Sequence, residues 1–214
     1  MLPNLIVIGA MKCGTSSLHY YLSLHPEIFM SERKELNFFI DRKNWGRGLD
    51  WYEAQFPEPL PVRGESSPGY TKYPTFEGVA ERLHSVLPGA KLIYLVRDPI
   101  ERIVSHYLDS YALRREDGTI EDMLADLDDN HYVNCSRYFM QLEQYLRYYP
   151  ESQILIITSE ELEDDRPATR CRGSPHASGR AGSDLSFPGR SRARSRRTAG
   201  EQRSRSTGRS STNG

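Results

Sequence analysis

"LIVIGAMKCGTSSL", residues 5–18, joins an apolar run to a turn holding Gly9 and Gly14 and then to a hydroxyl-rich stretch. Gly9, Gly14 and Ser16 stand where a nucleotide-binding P-loop, G-x-x-x-x-G-K-[ST], requires them. Thr15, however, holds the lysine position, and Lys12 lies three residues earlier. A strand, a glycine turn and a helix start leave the backbone N–H groups of about four residues without intrahelical partners, so Gly9 to Ser17 reads as an anion site. A nucleoside triphosphatase needs its lysine after the second glycine to reach the β- and γ-phosphates, and a neighbouring hydroxyl for Mg²⁺. Here the lysine is upstream, and the apolar run "IYLV" (93–96) ends in Arg97 instead of a Walker B acid. A cation at a strand end suits a second anion, and no metal is expected.

Further apolar runs at "KLIYLV" (91–96) and "QILIIT" (153–158), with a weaker one at "PVRGE" (61–65), read as buried parallel strands. Helical patterns separate them at 15–24, 75–89 and 134–150, the first stopping at His25-Pro26 and the second at Pro88-Gly89. Strands alternating with helices imply an α/β, three-layer, P-loop-like fold with a central parallel sheet flanked by helices. Ligands of such sheets bind at the carboxyl ends of the strands, where 9–16 and 97–105 both lie.

The formal net charge of −1 averages two unlike segments. Residues 170–214 hold 11 Arg and no Lys against Asp184 and Glu201, and lack Ile, Val, Met, Tyr and Trp; residues 1–169 keep 17 basic and 27 acidic side chains, a net of −10. The expected division is therefore a nucleotide-binding domain over 1–169 and a disordered Arg/Ser/Gly-rich tail over 170–214. Cys13, Cys135 and Cys171 show neither metal-ligand spacing nor an even disulfide framework, which implies a reducing compartment. "MLPNLIVIGA" lacks a basic n-region and an apolar run of membrane-spanning length, so the chain is expected to be soluble, cytoplasmic and without a membrane partner.

"LVRDPIERIVSHY" (95–107) has its own logic. Asp98 is placed to cap a helix that Pro99 opens. Ser105 then lies about 9 Å along that helix from Pro99. Arg97 by a forked charge-assisted pair and Ser105 by a hydroxyl bond are placed to hold one phosphate. Two separated phosphate sites describe a nucleotide with phosphates at both ends.

"GAMKCGTSSL" followed by "LVRDPIERIVSHY" resembles the sulfotransferases that use 3′-phosphoadenosine 5′-phosphosulfate (PAPS), more closely the carbohydrate (heparan-type) branch than the cytosolic phenol-type branch. The resemblance implies that Lys12, Gly14, Thr15 and Ser16, with Ser17 in the same turn, hold the 5′-phosphosulfate, and that Arg97 and Ser105 hold the 3′-phosphate. It implies Glu35, which precedes Leu36, Asn37, Phe38 and Phe39, as the base, and Lys12 as the cation on the leaving oxygen. The acceptor implied is a carbohydrate or small metabolite. "GESSPGY" (64–70) is similar to the family's next loop, but Ser66 stands where several heparan-type enzymes place a lysine. The similarity covers residues 4–169, after which the expected helix and nucleotide-closing "KG" loop are replaced by a segment without periodicity, as a shifted reading frame would produce.

Plainer readings stand beside these. "SERKE" (31–35) is also a charge run of the kind that forms solvated faces, and Arg97 is placed to pair with Asp98 or Glu101. His106 is an alternative base without support from its local motif. Phe38, Phe39, Trp45, Trp51 and Tyr52 suit either sugar stacking or core packing. Two other function classes remain: a P-loop kinase-like protein, expected to need ATP and Mg²⁺, and a protein binding nucleic acid non-specifically through its basic tail, with affinity falling steeply with salt.

Overall fold

The computed structural model describes residues 1–164. The expected tail over 170–214 lies outside them, as does the composition break after residue 169. Five strands, β1 (Leu5–Gly9), β2 (Ile28–Met30), β3 (Val62–Ser66), β4 (Lys91–Val96) and β5 (Ile154–Thr158), form one sheet in the order β2-β3-β1-β4-β5. Every pairing is parallel, with Leu5 opposite both Gly64 and Lys91. β1 is buried at all five positions because it lies in the middle of this sheet. That burial is why its sequence is uniformly apolar instead of alternating.

Helices α1 (Thr15–Ser23), α2 (Leu49–Glu53), α3 (Val79–Val86), α4 (Pro99–Ala112), α5 (Ile120–Met123), α6 (His131–Asn134), α7 (Tyr138–Leu146) and α8 (Ser159–Asp164) flank the sheet. α4 begins as its sequence requires: Asp98 Oδ1 accepts from the N–H groups of Ile100 and Glu101 at 2.9 Å each, and Pro99 opens the first turn. No helix of the described residues is long and apolar enough to cross a membrane.

Two elements depart from the sequence reading and one bears it out, each for a physical reason. The helix expected over 134–150 is shorter: α7 spans only Tyr138–Leu146, while Asn134 ends α6, and from α7 the Gln141 side chain ties Asn134 O and both backbone groups of Tyr73 together, a tertiary clamp invisible to periodicity. β3, the weakest strand signal, is an interior strand, since its polar residues Glu65 and Ser66 are buried and partnered. β5 is the opposite case. Its residues are only half-buried and Ile156 is 48% exposed, so this strand is not covered on both faces among the described residues.

The turn leaving β1 leaves no room for a side chain at its first residue. A Cβ on Gly9, whose φ is +155°, would meet Thr71 Oγ1 at 1.9 Å, and that hydroxyl is itself buried and donates to Ile8 O at 3.1 Å. Gly9 thus lets the 3₁₀ turn Pro68–Thr71 press against the β1 end. Gly9→Ala is expected to destabilise the protein by about 1–3 kcal/mol, the scale of overpacking a tight core. Adding Thr71→Ala should recover part of that loss. Urea unfolding of the two single variants and the double variant checks the coupling.

Candidate active site

The anion loop is open at its helix end. Gly14, with φ 91°, is the N-cap of α1; no side chain caps the helix and no acidic residue lies in its first turn. The first-turn N–H groups are therefore available to a ligand, as the sequence pattern implied. Thr15 is buried, Ser16 exposed and Ser17 half-buried on that first turn. Lys12, in left-handed backbone at φ 70°, sends its ammonium to Asp109 Oδ1 of α4 at 2.9 Å.

Arg97 leaves the end of β4 beside this loop. Its NH1 donates to Lys12 O at 3.4 Å, its NH2 pairs with Glu101 one helical turn on, and its Nε is sealed from solvent without a partner. Lys12, Arg97, Ser105 and Asp109 line one open cleft of about 630 Å³, with Ile100, Val104 and Leu108 as its apolar side. The structure thus brings together the candidates Lys12, Arg97 and Ser105 from three separate elements. Sequence reasoning missed Asp109, and left Glu101 as one of two partners; both carboxylates occupy the cations of the cleft. A helical spacing of four from Ser105 and from Arg97 was the only available signal.

Glu35 does not line that cleft. It stands at the neighbouring strand end, its N–H donating to Ser66 O at 2.9 Å, with its carboxylate exposed and paired to Lys34 at 2.9 Å. What holds its loop is Glu65, a fully buried carboxylate at the end of β3. Glu65 Oε1 accepts from Tyr52 OH and Tyr70 OH at 2.7 Å each, and Oε2 from Ser67 Oγ at 2.6 Å. Ser67 Oγ in turn accepts from Asn37 N at 2.9 Å, and Tyr70 OH from Phe38 N at 3.0 Å. Burial pushes the Glu65 carboxyl above its ordinary range, and the three hydroxyl bonds oppose that shift.

The aromatic residues behind this loop belong to the core. Phe38, Phe39 and Tyr52 are buried, with Phe38 and Tyr52 stacked at 4.2 Å and 6° and the half-buried Trp45 and Trp51 packed on them. Ser66, at the position where a lysine was looked for, bonds His19 Nδ1 at 2.9 Å.

On α4, Arg102 is 0% exposed and its guanidinium donates to Ser136 Oγ, Tyr132 O and, at 3.3 Å, His106 Nδ1. His106 packs on Tyr132 at 4.4 Å and faces His131 at 5.5 Å. Burial pushes the His106 imidazole down to about 2, with Arg102, Lys72, His131 and Lys12 adding to it. Burial, then Lys72 and Arg102, push His131 down to about 4. Both rings are neutral near pH 7, and His106 is a weak base because burial and nearby cations disfavour its protonated form and Arg102 already engages its Nδ1.

The chain is similar to proteins of known family. The family model described as a sulfotransferase domain matches residues 2–169. A membrane-associated sulfotransferase of Dictyostelium discoideum is 41% identical over 111 residues, 50% of this chain and 22% of that protein. The human heparan sulfate glucosamine 3-O-sulfotransferase 5 is 30% identical over 173 residues, 75% of this chain and 49% of that enzyme. The chain therefore spans half or less of the length of these curated relatives. Among solved structures, a sulfotransferase from Alicyclobacillus acidocaldarius superposes with a TM-score of 0.69 at 30% identity, covering 77% of this chain and 76% of that one.

The neutral imidazoles link stability to pH. The unfolded chain takes up protons at His106 and His131 near pH 6.5, whereas the folded chain resists until about 2 and about 4. Their contribution is thus present above about pH 6.5 and is lost on acidification, by about 1.4 kcal/mol per pH unit for each ring. Urea unfolding between pH 7 and 5 should show this fall in stability, and His106→Gln should make the slope shallower.

Proposed function

Because this chain belongs to the sulfotransferase domain family, we propose that it transfers a sulfuryl group from PAPS to a hydroxyl or amine of a carbohydrate or small metabolite. The observation that carries this reading is the convergence of Lys12, Arg97 and Ser105 on one cleft beside the uncapped α1 terminus. Two anion positions at separate strand ends match a nucleotide phosphorylated at both its 3′ and 5′ ends. The orphaned Arg97 Nε supports the fit, since a sealed donor without a partner is the kind of group a ligand oxygen satisfies.

PAPS, when bound, supplies an activated sulfuryl group on a good leaving phosphate. The N–H groups of the α1 turn, with Thr15, Ser16 and Ser17, hold the 5′ end, and Arg97 and Ser105 hold the 3′-phosphate. Lys12 stabilises the negative charge that grows on the oxygen leaving sulfur. Glu35 takes the proton from the acceptor oxygen or nitrogen as its lone pair bonds to sulfur. Asp109 and Glu101 hold Lys12 and Arg97 as solvent-touching ion pairs in the free protein. Such pairs are weak, so an incoming phosphate displaces them at small cost. The acceptor class draws support from the heparan sulfate relative.

A thermal-shift titration tests the nucleotide. Adenosine 3′,5′-bisphosphate without metal is expected to stabilise the protein, and ATP with Mg²⁺ is not; the reverse result would favour a kinase. Arg97→Ala should weaken bisphosphate binding by about 1.5–3 kcal/mol, the scale of a hydrogen bond to a charged group, while binding of 5′-AMP changes little. Equal losses for both ligands would remove Arg97 from the 3′ site. Glu35→Gln should leave bisphosphate affinity intact and lower transfer by about 10²- to 10⁴-fold. Retained transfer in that variant would move the base elsewhere.

A further inference from the structure

A transferable group and the base that serves its attacker must share one frame, because a displacement of about 1 Å at such a site can cost about 100-fold in rate. In this protein they come from different elements. On the sulfotransferase reading the 5′ end of the nucleotide falls to the α1 turn, whereas Glu35 rides on the loop 31–39, outside the cleft lined by Lys12, Arg97 and Ser105. A link between that loop and α1 is therefore required.

His19 supplies it. It lies one turn beyond Thr15 on α1, and its Nδ1 is 2.9 Å from Ser66 Oγ at the end of β3. Among the described residues it is the only α1 side chain that hydrogen-bonds outside its own helix. Ser66 is wholly buried, and its carbonyl oxygen accepts the Glu35 N–H at 2.9 Å. One residue of β3 thus meets α1 through its side chain and the base loop through its backbone. Strand alternation separates this grip from the other one. Glu65 and Ser67 turn to the aromatic face, where Ser67 holds Asn37, and Ser66 turns to the α1 face. Burial pushes the His19 imidazole down, with Lys34 adding and a hydrogen bond to the Ser31 backbone opposing, so the ring also meets the loop at its first residue. α1 already packs on the sheet through Leu18 and Leu22, so its anchoring does not depend on this bond.

We propose that His19 is a positioning residue for the transfer reaction: through Ser66 it fixes the loop carrying Glu35 in register with the α1 turn that holds the nucleotide. The link stands on the two hydrogen bonds, and its purpose rests on the sulfotransferase reading. Ordering of α1 by a bound nucleotide passes along those bonds to Glu35, so nucleotide binding tightens the base loop. Breaking the link leaves both phosphate positions intact and frees Glu35 to leave its register.

Hydrogen–deuterium exchange of the full chain, with and without adenosine 3′,5′-bisphosphate, tests the link without an acceptor. In the parent chain the bisphosphate is expected to slow exchange both in α1 and in residues 31–39. His19→Ala should keep the α1 protection and lose that of the loop, with bisphosphate affinity unchanged; a merely structural histidine would loosen α1 and weaken the nucleotide as well. His19→Asn, whose amide can stand where Nδ1 does, should restore the loop. Ser66→Ala tests the same bond independently of how His19→Ala folds, and the double variant should be no worse than either single, as for two ends of one bond. Where desulfated heparan sulfate serves as acceptor for PAPS, His19→Ala should lower kcat about 10- to 100-fold at unchanged KM for PAPS and add nothing in the Glu35→Gln background. Loop protection that survives in both His19→Ala and Ser66→Ala, or that never appears in a parent chain whose α1 is protected, overturns the proposal. A bisphosphate that protects neither element sinks the nucleotide reading instead. Exchange at the Glu35 N–H of the free chain, expected to be faster in His19→Ala, then judges the link by itself, and an unchanged rate overturns it.

Discussion

The Glu65 carboxyl at the end of β3 is the constraint on which the loop carrying Glu35 depends. A carboxyl with no solvent contact is costly to bury unless its oxygens are satisfied, and three hydroxyls from Tyr52, Ser67 and Tyr70 satisfy them. Those hydroxyls are not passive. Ser67 and Tyr70 also accept the backbone N–H groups of Asn37 and Phe38, so one buried carboxyl ties together β3, the aromatic layer and the loop that carries Glu35. Glu35 and Asn37 both sit in left-handed backbone, at φ 61° and 49°, a conformation that non-glycine residues hold only when surroundings impose it. The relay from Glu65 imposes it.

The same strand end sets the placement of the cations. The 3₁₀ turn that follows β3 is pressed on Gly9, delivers Tyr70 to Glu65 and then presents Lys72. On the other side of β1, the turns after β1 and β4 deliver Lys12 and Arg97 to a shared cleft. The two groups of cations differ in how they are neutralised. Lys12 and Arg97 are held by solvent-touching carboxylates, whereas the Arg102 hydrogen bonds among the described residues go to Ser136 Oγ, Tyr132 O and His106 Nδ1.

Much of the fold was legible because its cause is local. A parallel strand buried on both faces must be apolar throughout, so "LIVIG" and "KLIYLV" announce themselves, and Asp98-Pro99 marks a helix start through a cap that operates within three residues. Arg97 and Ser105 were likewise legible as a pair, since helix geometry alone relates them. β3 was nearly lost, because Glu65 and Ser66 look unlike a buried strand until their partners are known. The aromatics were ambiguous for the same reason. Only the stacking of Phe38 on Tyr52, fourteen positions away, places them in the core.

Residues 1–164 by themselves determined the class of sheet, the glycine turn that opens α1, the capped helix and the types of side chain placed at the strand ends. Only the tertiary structure decided which charges are paired. Asp109 meets Lys12 across 97 residues, and Glu65 meets Tyr52 across 13. The physical reason is that pairing and desolvation depend on distances in space, set by packing of the whole sheet, whereas hydrogen-bonded periodicity and capping depend only on neighbours along the chain.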